Sequence, residues 1–302
     1  MKSPETMVFG YMLRQAELQK ESGRERTGET YRQALASFSK FRKGKDLTFS
    51  EIDEATIRGY EGYMRGLGLC RNTTSFYLRI LRGIYNKASD DGLTEQRLPF
   101  RHVYTGVDRT SKRAVGVREI RLIKRLDLKA SPKLSFARDM FMFSFYTRGM
   151  SFVDIAYLKK SDISGVFLNY RRRKTGQRLT IRLEKGIAEI IARNSDKDSP
   201  YLLPIISSGD RDTARKQYLA GMRAVNRSLK TIAEIIGMST NLTMYVARHS
   251  WASIALANDV PLHTISLALG HENEETTRIY LSSVQTEAID SANSMILGLI
   301  EK

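Results

Sequence analysis

Apolar positions recur at helical spacing through most of the first hundred residues and alternate strictly in only one later stretch. Over residues 5–20, Met7, Tyr11 and Leu18 stand among charged residues, a sparse helical pattern. Tyr31, Leu35 and Phe38 repeat at helical spacing over 29–42. Asp53 is placed to cap a helix over 54–66, with Ile57, Tyr60 and Met64 on one face. Asn72 is placed to cap the next helix, where Tyr77, Leu81, Ile84 and Ala88 form the stripe and Gly92 supplies a stop. These elements predict a small four-helix domain over 1–98. Arg71, Arg79 and Arg82 fall off the apolar stripe and give that domain a basic surface. Pro99, Gly106 and the polar-basic run from Asp108 to Arg113 break the periodicity, so 99–114 reads as a linker.

The remaining chain, 115–302, is mixed. Helical spacing returns over 117–127 and 134–147. Then Val166, Leu168 and Tyr170 alternate with Phe167 and Asn169, and Leu179, Ile181 and Leu183 alternate with Thr180 and Arg182. With Lys174-Thr-Gly-Gln177 between them, these runs predict a β-hairpin with Gly176 at its tip. A long helix is expected over 211–236 on the stripe Leu219, Met222, Val225, Leu229, Ile232 and Ile236. Its Lys216, Arg223, Arg227 and Lys230 occupy another face. Shorter helices follow near 243–257, 262–269 and 274–282, then an amphipathic stretch over 285–300. The predicted fold class is mainly α with a small antiparallel β-sheet.

Composition narrows the possible partners. The chain has 302 residues and 41% hydrophobic residues, enough to fill cores, so it is not a disordered basic tail. Its formal net charge of +16 points to a polyanion, nucleic acid first. The lone Cys70 excludes an intrachain disulfide and reads as a buried or half-buried thiol in a reducing compartment. There is no apolar run long enough to span a membrane and no signal-peptide pattern, so a cytoplasmic location is expected. Metal-ligand spacing and a Gly-rich phosphate loop are both missing from the sequence, so no cofactor, metal or ATP is expected.

The chemistry gathers toward the C-terminus. Tyr245-Val-Ala-Arg248-His249 is followed by Leu269-Gly270-His271 and then by Thr276-Thr-Arg-Ile-Tyr280. A lone Leu-Gly-His is a weak signal. The ordered set is a strong one, with Tyr280 nine residues after His271 and a lysine, Lys174, on an upstream basic hairpin. It resembles the signature of the tyrosine recombinase (phage integrase) family, and most closely a Bacteroides-type subgroup of integrases and invertases. The resemblance spans both segments and implies a helical core-binding (SAM-like) domain ahead of an α+β catalytic domain.

Metal-free cleavage of a phosphodiester needs a nucleophile, cations on the non-bridging oxygens and an acid for the leaving oxygen. The resemblance assigns these roles to Tyr280, to Arg148 and Arg248 with His271, and to Lys174. A phosphotyrosine intermediate would store the bond energy, so rejoining needs no ATP. Arg171 and Arg173, with Arg172 between them, read as backbone clamps rather than catalysts, as do Arg71, Arg79 and Arg82.

Two positions depart from the family pattern. Ser151 stands where the first arginine is expected. If the backbone is helical there, Arg148, three residues earlier, shares its face and takes the role. Tyr245 stands at the histidine position of His-x-x-Arg, where a phenol can donate a hydrogen bond but cannot act as base or cation near pH 7. His249 and Trp251 read as packing residues.

The resemblance implies site-specific recombination of double-stranded DNA: integration, excision or inversion within a tetramer joined through the C-terminal helix. It further implies a bacterial, nucleoid-associated protein helped by accessory DNA-bending proteins. Two alternatives remain at this point: relaxation of the kind performed by type IB topoisomerases, and an inactive DNA-binding regulator with the same fold.

Overall fold

The computed structural model describes residues 7–108 and 114–278, together with 281, 293, 296 and 297. The chain divides into two units, which meet between Thr110 and Ser111.

The first unit holds four helices: α1 (Val8–Glu21), α2 (Glu25–Phe41), α3 (Glu54–Gly66) and α4 (Arg71–Asp90). Their stripes converge on a core rich in aromatic rings. Phe38 and Tyr60 meet edge to face with centroids 5.1 Å apart, and Tyr11 meets Phe49 at 5.2 Å. Asp53 caps α3 as expected. Its Oδ1 accepts from the Thr56 amide at 2.7 Å, and that bond holds its carboxyl below the usual range.

The start of α4 differs from expectation. Its N-cap is Cys70, and Asn72 lies inside the first turn with its amide committed to Asp108. The Cys70 thiol is exposed rather than buried. Phe100 and Val103 are buried in the first unit's core, so the stretch read as a linker from residue 99 begins as part of the helical unit. The proline and polar residues around these two hid a pair of core anchors.

The second unit contains α5 (Val117–Arg125), α6 (Pro132–Tyr146), α7 (Phe152–Tyr157), α8 (Lys185–Asn194), α9 (Arg211–Ile235), α10 (Met244–Ala257) and α11 (Leu262–Leu269). Its antiparallel sheet runs in the order β1 (Ile163–Ser164), β2 (Phe167–Arg171), β3 (Arg178–Arg182). The β2–β3 register pairs Leu168 with Ile181 and Tyr170 with Leu179, which fixes the residues of the tip.

Helix α6 is apolar on nearly every side. Ala137, Met140, Phe141, Met142 and Phe143 are all buried, as expected of a helix surrounded by others. Its one buried carboxylate, Asp139, is shared by Arg138, Arg193 and the Asn194 amide, so the charge is fully paired. Strand β1 has two residues, too few to show alternation. Among the described residues no helix is long and apolar enough to cross a membrane.

Candidate active site

The chain turns sharply between α6 and α7. Arg148 and Gly149 have φ of 61° and 77°, both left-handed, so the helical continuity that would place Arg148 on the face of Ser151 is absent. The turn has a packing reason. A Cβ on Gly149 would lie 2.7 Å from Arg248 Cγ and 2.8 Å from its Cα, so only glycine lets α10 come this close. Ser151 stands at the N-cap of α7, and its hydroxyl donates to the Asp154 carboxylate at 2.6 Å. The other oxygen of buried Asp154 accepts from the Arg173 backbone amide at 2.8 Å, tying α7 to the hairpin.

Arg248 is 5% exposed at the centre of α10. Its Nη1 donates to the Gly149 carbonyl at 2.9 Å and its Nη2 to the Leu269 carbonyl at 2.6 Å. Nη2 also lies 3.1 Å from His271 Nε2. Since a guanidinium only donates, Nε2 is the acceptor, and the ring proton sits on Nδ1, which donates to Thr277 Oγ1 at 2.7 Å. His271 is therefore neutral with a lone pair facing the arginine. Burial first, then the charges of Arg248, Arg172 and Lys174, lower its pKa to about 4.

The depressed pKa has a testable consequence. As pH falls below 6.5, the unfolded chain takes up the proton before the folded one, so stability present above pH 6.5 is lost toward pH 4. In urea titrations, wild type is expected to lose stability across this window more steeply than His271→Gln. Equal slopes would refute a neutral buried imidazole.

Gly270 explains the middle of Leu-Gly-His. It closes α11 with φ 64°, and a Cβ there would meet Gln177 Oε1 at 2.9 Å and Leu179 Cδ1 at 3.0 Å. The tip of the hairpin thus rests on this glycine. The Gly270 carbonyl accepts from Arg172 Nη1, and Arg172 is 8% exposed.

Arg172 is the residue that sequence reasoning set aside. The signal was present in the alternation: Leu168 and Tyr170 face inward on β2, so the next position of the same parity, Arg172, does too. Burial pushes the Tyr170 phenol far above its usual range, and Asp154 adds to the shift. Arg172, Arg248 and Arg148 oppose it, which places three cations around one phenol.

Lys174 is exposed on the tip, close enough for its charge to act on His271. The Arg173 guanidinium lies 3.8 Å from the centre of the Tyr157 ring, and Arg171 is exposed. Tyr245 is 54% exposed and stacks edge-on against buried His249 at 4.4 Å. Trp251 packs, partly buried, against the small core of Ala252, Ile265, Leu269 and Leu281. Tyr280 and most of the 285–300 stretch lie outside the described residues. Thr277 and Leu281, on either side of Tyr280 in the sequence, are both buried. Arg71, Arg79 and Arg82 belong to α4 of the other unit.

The model of the phage integrase SAM-like domain matches residues 7–103, and that of the phage integrase family matches residues 122–287. Tyrosine recombinase XerD of Rhizobium meliloti (strain 1021) is 24% identical over 275 residues, 84% of each chain. Tyrosine recombinase XerA of Thermococcus onnurineus (strain NA1) is 28% identical over 165 residues, 52% of this chain and 55% of that one. Among solved structures, XerH recombinase in a post-cleavage complex with a palindromic difH substrate has a TM-score of 0.66 at 17% identity, covering 88% of this chain and 79% of that one. A lambda integrase dimer on a COC′ core site has a TM-score of 0.64 at 14% identity, covering 92% and 77%. These two show the shared fold. With the family's own model matching more than half of its length, the chain belongs to the phage integrase family.

Proposed function

We propose that this protein is a site-specific tyrosine recombinase that cuts and rejoins duplex DNA through a 3′-phosphotyrosine. The observation that carries the reading is Arg248, buried and held by two backbone carbonyls with neutral His271 against its fork. Such a fixed, buried guanidinium suits the non-bridging oxygens of a phosphate.

In the reaction, the Tyr280 oxygen attacks phosphorus and the bond to the 5′-oxygen breaks. Nε2 of His271, released from Arg248 Nη2 as the guanidinium turns to the phosphate, takes the phenolic proton, and Lys174 gives one to the leaving 5′-oxygen. Reversal of these transfers, with a 5′-hydroxyl from a partner strand, rejoins the DNA. The bridging functions expected of the family belong to the same proposal: a tetramer on DNA, docking through the C-terminal helix, accessory DNA-bending proteins and a cytoplasmic, nucleoid-associated setting. A tetramer on a Holliday junction is described for lambda integrase.

The test begins with in vitro selection of a binding site from random duplexes. A nicked suicide substrate built on that site should trap a covalent adduct, and peptide mapping should locate it on Tyr280. A protein that binds the selected site but forms no adduct is a regulator, not a recombinase. Relaxation of supercoils without any selected site would point to topoisomerase-like action.

Arg172 supplies the second cation, the one Ser151 cannot. Arg172→Gln is expected to slow adduct formation about 10²- to 10³-fold, the usual effect of deleting one preorganised donor. Arg148→Gln should lose less, and Ser151→Ala less than about tenfold, because the serine serves Asp154. A larger loss for Arg148→Gln than for Arg172→Gln would return the role to Arg148.

A further inference from the structure

The basic face of α4 is already covered. Residues 104–108 lie along it, held by side chains at helical spacing. The Asn72 amide donates to the Asp108 carbonyl at 3.0 Å and accepts from the Asp108 amide at 2.7 Å. Ser75 Oγ donates to the Gly106 carbonyl, and Arg82 Nη1 donates to Thr105 Oγ1 at 2.8 Å. The Arg71 guanidinium stacks 3.7 Å from the centre of the Tyr104 ring. Its Nη1 lies 3.4 Å from Asp108 Oδ1, an atom that also accepts from the Tyr104 hydroxyl at 2.6 Å. Arg79 is on the same face, and its Nε is buried without a hydrogen bond.

A carboxylate thus meets one nitrogen of the Arg71 guanidinium, on the helix face that also carries Arg79 and Arg82. Carboxylate and phosphate present the same planar oxygen pair to guanidinium. The Arg71–Asp108 pair is also exposed, with side chains 58% and 39% accessible. An exposed pair is weak in water, whereas a duplex phosphate brings counterion release with it. Asp108 directly precedes the run Arg109-Thr-Ser-Lys-Arg113 that joins the two units.

We infer that Asp108 is an internal stand-in for a DNA phosphate: it occupies the phosphate site formed by Arg71 of α4 with Tyr104 of the covering segment, and duplex DNA displaces it. This rests on the DNA-binding reading above and adds to it a self-blocking contact. Displacement hands Arg71 to the backbone and releases the carboxylate end of the 104–108 segment, leaving the Asn72 clamp on its main chain in place.

The test measures fluorescence anisotropy of a mixed-sequence duplex of about 30 base pairs across a salt series. Asp108→Asn preserves the side chain's size and its hydrogen bond to Tyr104 while removing the charge. It is expected to tighten binding about three- to tenfold at low salt. Glu95→Gln, which removes the same charge from a side chain 87% exposed, should change binding less than twofold. In an Arg71→Gln background the gain from Asp108→Asn should disappear, because the two act through one contact. A gain no larger than that of Glu95→Gln, or one that persists without Arg71, overturns the inference. Absence of salt-dependent duplex binding by wild type would instead overturn the DNA-binding reading itself.

Discussion

Tyr280→Phe is expected to abolish covalent capture of a suicide substrate while changing DNA affinity less than about twofold. The loss is near total because the substitution deletes the attacking atom, and the neighbouring Thr277 hydroxyl, bonded to His271 Nδ1, is an alcohol far less acidic than a phenol. Residual cleavage should lie below about 10⁻⁴ of wild type, the scale seen when a nucleophile is removed from an otherwise intact site. Affinity is spared because binding to a duplex is spread over many phosphate contacts, of which a phenol is at most one. The comparison is Tyr245→Phe. Tyr245 is exposed and stacked on His249, so losing its hydroxyl should slow capture less than tenfold. If Tyr280→Phe still forms an adduct, or Tyr245→Phe loses it, the nucleophile has been assigned to the wrong tyrosine.

Arg248→Gln is expected to cost about 10³-fold in the rate of adduct formation, at the upper end for loss of one charged donor. The side chain does two jobs. In the proposed reaction it holds the phosphate, and it lowers the pKa of His271. Removing its charge should therefore shift the imidazole upward from about 4, and the acid limb of the pH profile should move to higher pH with it. A purely structural arginine would lower the rate without moving that limb. Arg248→Lys should not rescue, because one ammonium cannot reproduce two parallel donors anchored on the Gly149 and Leu269 carbonyls. Recovery to within tenfold by lysine would show that charge alone suffices.

Much of this site was legible in the sequence because its parts lie in short, rigid motifs. Arg248 and His271 were readable from their spacing, and the hairpin from its alternation. What escaped depended on backbone conformation or on contacts distant in sequence. Gly149 suits a turn as well as a helix, but nothing ahead of it announces a left-handed arginine, so a helical argument was applied to Arg148 where the chain in fact turns. The partner of Arg172 is a carbonyl 98 positions away, which local reading cannot supply. Asn72 looked like a cap because its residue type favours that role, yet its amide is taken by Asp108, 36 positions on. Phe100 and Val103 were lost to the linker because isolated apolar residues between Pro99 and polar neighbours show no period.

The seat of the hairpin on Gly270 has a consequence for timing. Lys174 rides on the strand turn that touches the residue just before His271, and Arg172 bolts that turn to the same peptide. Under the roles proposed above, acid and second cation are thereby mechanically ganged: a shift that lifts the turn withdraws Lys174 and Arg172 in one stroke, while burial and Arg248 still hold His271 neutral. In the proposed reaction that coupling leaves a subunit either armed or inert, with no half-armed setting.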